Sequence, residues 1–140
     1  MIFPQNLSLE TLNNMGKNTM TDFLDIRFTE IGEDFLEATM PVNSKTKQPL
    51  GLLHGGANVV LAETLGSVAA TMTVDQKVQY CVGLEINANH LKSVKQGVVR
   101  GVTKPIHLGK KTQVWETKIF NEEGDLICIS RITIAVIDKK

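Results

Sequence analysis

Residues 52–74 read Leu-Leu-His-Gly-Gly-Ala-Asn-Val-Val-Leu-Ala-Glu-Thr-Leu-Gly-Ser-Val-Ala-Ala-Thr-Met-Thr-Val, and this run decides the fold. Leu, Ala and Met favour helix, Gly55 and Gly56 suit a helix start rather than its middle, and the run is long for a strand. A membrane span is the rival reading, because few charges occur over that length. Hydroxyls, glycines and Glu63 in mid-run argue against it, as does the lack of flanking basic residues or an aromatic belt. The run therefore predicts a helix buried on nearly every side inside a soluble protein. Ala62, Gly66, Ser67, Ala69 and Ala70 are small enough to let a surrounding sheet approach closely.

Everything after Asp75 reads as strand. Val78 to Asn89, Gly97 to Lys104, Thr112 to Phe120 and Leu126 to Ile137 are rich in Val, Ile and Thr, and Asn121 to Asp125 is turn chemistry between the last two. Upstream, Ser8 stands before Leu9, Leu12 and Met15 on one helical face, with Gly16 as a stop, which predicts a short peripheral helix. From Asp22 the apolar period changes to two through Leu24, Ile26 and Phe28, and Phe35 to Met40 resumes it after Gly32, so the pair predicts a hairpin. Pro41 to Leu53 is a polar loop that delivers the chain into the central helix. Helix and strands are segregated without βαβ alternation. The expectation is an α+β domain spanning residues 1–140, an antiparallel sheet of about six strands wrapped around one long central helix.

Composition narrows the function. Fifteen Lys and Arg balance fifteen Asp and Glu, with no block of like charge, so neither a nucleic acid nor an anionic membrane is an expected partner. The N-terminus has neither the basic start nor the apolar middle of a secretory signal, which predicts a cytoplasmic protein. Cys81 and Cys128 lie inside apolar runs, far apart and outside any Cys-x-x-Cys pattern, as buried free thiols do. His54, His90 and His107 lack metal-ligand spacing and cysteine companions, so no metal site is expected.

Glu63 is the only charged residue of the central helix, and a carboxylate in apolar surroundings must be paired or used. Ser67, four residues on, shares its face and could bond the carboxylate or hold a water beside it. At the helix start, His54-Gly55-Gly56-Ala57 leaves backbone N–H groups uncovered, and the helix dipole adds partial positive charge there. A thioester or ester carbonyl aimed at the Gly56 N–H would be polarised, and its developing oxyanion stabilised. His54, with Gln48 shortly before it, suits a positioning role. Seven helical residues separate Gly56 from Glu63 by about 10 Å at 1.5 Å per residue, too far for both to serve one carbonyl easily within a chain, so a partner subunit is expected to supply one of them. Two loops, Asn89 to Ser93 and His107 to Thr112, carry basic and hydroxyl groups suited to the phosphates of a nucleotide-like leaving group such as coenzyme A.

These residues resemble the hotdog-fold acyl-CoA thioesterases, in the branch of phenylacetate-pathway and 4-hydroxybenzoyl-CoA-type enzymes. The likeness is carried by residues 48–57 (QPLGLLHGGA), 60–67 (VLAETLGS), 83–90 (GLEINANH), 107–109 (HLG) and 113–115 (QVW), nearly the whole chain. Within the branch it is similar to bacterial enzymes that act on 1,4-dihydroxy-2-naphthoyl-CoA or proofread aryl carrier proteins in siderophore synthesis.

The resemblance implies a hotdog fold and hydrolysis of an aromatic acyl-CoA to free acid and coenzyme A. Glu63 would be the catalytic carboxylate and Gly56 the backbone donor to the thioester carbonyl. Gln48 and His54 would orient the thioester, and Ser67 would assist the carboxylate. Gly83, His90, Leu91, Lys92 and Ser93, with His107, Leu108, Gly109, Lys110, Lys111 and Thr112, would contact coenzyme A. No metal or other cofactor is implied, and the assembly would be a homodimer paired into a homotetramer. Other readings on the same scaffold are proofreading of a carrier-protein thioester, acyl-CoA binding without catalysis, and hydration or dehydration chemistry.

Overall fold

A computed structural model describes all 140 residues, Met1–Lys140. Ser8 accepts a hydrogen bond from the Thr11 N–H and starts α1 (Leu9–Met15), whose Leu12 is buried. A one-turn helix that the period-two reading did not anticipate, α2 (Met20–Phe23), follows at Thr19. Asp25 then takes a positive φ of 56°, and β1 (Arg27–Ile31) begins only beyond it. Leu24 therefore closes a helical turn. Ile26 and Phe28 enter the core as the alternation predicts.

β1 pairs with β2 (Leu36–Pro41) as the expected hairpin. The central helix α3 (Gly55–Met72) comes next, then β3 (Gln79–His90), β4 (Val98–Leu108), β5 (Thr112–Phe120) and β6 (Leu126–Asp138). The six strands form one antiparallel sheet in the order β1-β2-β4-β5-β6-β3. It curls around α3, which packs against every strand from β2 to β6. β4 runs four residues past its expected end. Pro105 lacks an N–H, but a bulge between Pro105 and His107 absorbs it, so His107 and Leu108 extend the strand and only residues 109–111 form the turn.

Leu61, Leu65 and Ala69 of α3 meet Leu36, Val99, Trp115, Ile132 and Ile134 of the sheet in one apolar cluster. The close approach expected of the small residues is realised at Gly66, where a Cβ would lie 2.6 Å from the Ile132 Cγ2. Polar groups bury in register: the Trp115 indole N–H donates to Gln113 Oε1 at 2.8 Å, and Gln113 Nε2 donates to Thr73 Oγ1 at 2.9 Å. The burial of α3 is less complete than its composition predicts. Val60, Glu63, Thr64, Ser67, Val68 and Thr71 form a half-buried flank that this chain leaves partly open. Both cysteines are free thiols, and burial pushes Cys128 up to about 11.

Candidate active site

The loop before α3 is built by its own hydrogen bonds. The Gln48 N–H donates to Leu52 O, the Leu50 N–H to Gln48 Oε1, and the His54 N–H to Thr46 O. His54, in extended backbone, is the N-cap of α3: its Nδ1 accepts the Gly56 N–H at 2.8 Å, and its carbonyl takes the Ala57 and Asn58 N–H groups. This bears on the expected carbonyl donor. The Gly56 N–H is already satisfied by the imidazole, whereas the Gly55 N–H donates to no acceptor in the chain. Gly55 must also be small, because a Cβ there would lie 2.8 Å from Nε2 of His90, whose ring packs on the helix start.

Glu63 lies two turns further along, on the open flank. Its Oε2 is shut off from solvent without a hydrogen-bond partner, although the residue as a whole is half-buried. Burial pushes its carboxyl above the ordinary range. Ser67 makes no hydrogen bond to it; the Ser67 carbonyl accepts from Thr71 Oγ1. Gly83, expected among the coenzyme A contacts, lies against the carboxylate, where a Cβ would approach Oε1 to 3.2 Å. Gly83 belongs to β3, which pairs with β6 on one side and is the sheet's edge on the other. The carboxylate thus sits at the boundary of the chain.

Gln48, Gly55, His90, Leu91, Lys92 and Ser93 share a groove of about 400 Å³ beside the helix start, so the first two expected groups do meet. Lys92 is not free within it, since its ammonium holds Asp125 at 2.7 Å. The His107–Thr112 segment does not join them. Gly109, Lys110 and Lys111 line a cleft with Thr73, Val74 and Asp75 at the far end of α3, and eighteen helical residues span about 27 Å. One chain therefore does not gather both expected phosphate regions.

Two features escaped the sequence reading. A chamber of about 750 Å³ opens beside His54 and Gly56, walled by Met20, Phe23, Leu24, Ala57 and Val60. It exists because α2 is pinned: Lys45 Nζ donates to the Phe23 carbonyl at 2.8 Å, pairs with Asp25 at 3.3 Å and lies over the Phe23 ring. Thr19 was the only local signal for α2, and a single turn is too short to show a period. The second is Asn58, 4% exposed on the floor of the groove. It reads in sequence as one more polar residue of the first helical turn. No group of three or more His, Cys, Asp or Glu side chains is placed to hold a metal ion, and no helix is long and apolar enough to cross a membrane.

Residues 50–128 match the Thioesterase superfamily. The chain is 58% identical over 137 residues to the 1,4-dihydroxy-2-naphthoyl-CoA hydrolase of Escherichia coli (strain K12), a match covering 98% of this chain and 100% of that protein. It is 49% identical to the proofreading thioesterase EntH of Cronobacter sakazakii, over 98% of this chain and 99% of the relative. Among solved structures, a variant of thioesterase PA1618 from Pseudomonas aeruginosa superposes with a TM-score of 0.97 at 47% identity, covering 99% of this chain and 100% of that one.

Proposed function

Because the chain belongs to the thioesterase superfamily, we propose that it hydrolyses aromatic acyl thioesters of coenzyme A, with Glu63 as the reacting carboxylate and the Gly55 N–H as the donor to the thioester carbonyl. The observation that carries the reading is the sealed, unpartnered Oε2 of Glu63 on an otherwise uncharged helix. Its unshared pair is not committed to any protein donor. It is free to attack the carbonyl carbon or to take a proton from an attacking water, and both roles need the same oxygen in the same place. The carbonyl oxygen, placed at the start of α3, gains negative charge where the helix dipole and the Gly55 N–H favour it. Collapse of the tetrahedral adduct breaks the C–S bond. One water is consumed, and the products are a carboxylate, a proton and the thiol of coenzyme A.

The acyl group has a place beside that carbonyl in the chamber of Met20, Phe23, Leu24, Ala57 and Val60, which is large and apolar enough for a fused aromatic ring. The same reading extends to an aryl carrier protein, which presents its acyl group on the same pantetheine arm. The reaction as written uses water and the chain's own groups, with no further cofactor, and is assigned to the cytoplasm.

A second copy of the chain completes the site in this proposal. β3 is a twelve-residue edge strand with exposed Tyr80, Val82 and Leu84, and such an edge is a template for pairing. Continuing the sheet across it covers the open flank of α3 and carries the partner's helix start toward Glu63. This homodimer answers the separation of about 12 Å between the Gly55 donor and the carboxylate, eight helical residues apart. A homotetramer brings further surfaces to the phosphate end.

The test is thiol release from benzoyl-, 1,4-dihydroxy-2-naphthoyl-, phenylacetyl- and medium-chain acyl-CoA by wild type and Glu63→Gln. Turnover that is highest on the bicyclic and monocyclic aromatic thioesters and falls about 10² to 10⁴-fold in the variant supports the reading. A variant as active as wild type removes Glu63 from the mechanism.

A further inference from the structure

The groove at the start of α3 ends on a polar group that the reaction above does not use. Asn58 is 4% exposed and faces this groove beside Gln48, Gly55 and His90. Its Nδ2 lies 3.5 Å from His90 Nδ1, and its Oδ1 has no hydrogen-bond partner. Exchanging the two ends of the amide leaves the same deficit: one end meets the imidazole and the other is unpaired. Buried amide ends are nearly always paired, so the missing partner is expected to enter the groove from outside the chain.

Resting on the thioesterase reading, we propose that Asn58 is a positioning residue for the leaving arm of the substrate, its free amide end pairing with the secondary amide nearest the thiol. Every pantetheine thioester carries that amide two methylenes from sulfur. The dimensions agree. With the carbonyl oxygen on the Gly55 N–H, the arm's nitrogen lies about 5 Å from that oxygen by ordinary bond lengths, and Asn58 lies about 4.5 Å along the helix from Gly55. The chemistry agrees in either amide orientation, because a secondary amide offers both an N–H for a free Oδ1 and a carbonyl for a free Nδ2. The other end of Asn58 holds the His90 ring, which packs on Gly55, so the residue that grips the arm also steadies the carbonyl donor.

The experiment compares wild type and Asn58→Ala on benzoyl-CoA, S-benzoyl-N-acetylcysteamine, which keeps only that amide, and S-ethyl thiobenzoate, which lacks it. Asn58→Ala is expected to lose about tenfold in kcat/KM on the first two and less than twofold on the third. Equal losses on all three, or none on any, overturn the proposal. Should the variant fold poorly, the wild type decides alone: its kcat/KM must be at least about tenfold higher for the N-acetylcysteamine ester than for the ethyl ester, and a ratio near one overturns it. A benzoyl carrier protein, as a fourth substrate, is expected to lose in parallel with benzoyl-CoA, whereas a loss confined to the coenzyme A ester assigns Asn58 to the nucleotide and overturns it. Thiol release from none of these by wild type is a separate outcome, which sinks the thioesterase reading itself and this proposal with it.

Discussion

A Cβ on Gly83 would stand 3.2 Å from Oε1 of Glu63, so the carboxylate rests directly on the backbone of the edge strand β3. The strand's missing side chain is what leaves the carboxylate its room. A Glu63 pushed out of this position would swing along the open flank of α3 and away from a carbonyl at a helix start.

Gly83→Ala tests that relationship. The chain can fold with alanine there, since Gly83 is exposed and carries no positive φ, but the carboxylate must shift by a few tenths of an ångström. A displacement of that order is expected to lower kcat by about tenfold, given that about 1 Å can amount to 10²-fold. Steady-state kinetics beside a thermal melt separate the two effects; unchanged kcat with an unchanged melting temperature would contradict the contact.

Glu63 also links activity and stability to pH. Burial raises its carboxyl above the ordinary glutamate range, so if Glu63 reacts as proposed, the acid limb of kcat/KM is expected above pH 4.5, with activity falling as pH drops through the raised value and protonates the carboxylate. The stability effect has the opposite sign. The protonated native form is favoured fully below the ordinary value, and that advantage disappears as pH rises through the raised native value. Glu63→Gln should therefore melt like wild type near pH 4 and above it near pH 7. Melting curves at the two pH values check this, and a gap that narrows toward neutrality would refute it.

His54 combines two jobs that substitution can separate. Its Nδ1 caps α3 through the Gly56 N–H, and loss of a cap costs about 1 kcal/mol. His54→Ala should show that loss, whereas His54→Asn, whose side chain caps well, should keep the wild-type melt. Both remove the imidazole from beside the proposed carbonyl-binding point, and both are expected to lose about tenfold in kcat/KM. Retained activity in His54→Asn would reduce the histidine to its capping role.

Far from the groove, the Trp115–Gln113–Thr73 chain ties β5 to the end of α3. Trp115→Phe strands the buried Gln113 Oε1 and should destabilise by about 2 kcal/mol. Adding Gln113→Leu removes the stranded acceptor, so the double variant should lose less than the sum of the single losses. Chemical denaturation of the four proteins measures it, and strict additivity would show that the pair is not coupled.

The sequence by itself determined the elements whose reason is local. A long run of Leu, Ala and Met after a Gly pair can only be α3, and alternation in β-branched residues predicts the strands. Glu63 is conspicuous because a lone carboxylate in that helix demands an explanation. Local chemistry did not reach α2, whose single turn has no period, or the last residues of β4, where a bulge carries Pro105 within the sheet.

Only the tertiary structure decided the site's interior, because its relationships join residues distant in the chain. Gly83 meets Glu63 through the pairing of β3 with β6, and His90 meets Gly55 and Asn58 across more than thirty positions. The proposed choice of Gly55 over Gly56 as carbonyl donor rests on a side-chain rotamer of His54 that captures one N–H and leaves the other. The two expected phosphate regions lie at opposite ends of α3, a separation set by helical rise and strand order. Spacing along a sequence measures the contour of the chain, and chemistry depends on distances that folding alone sets.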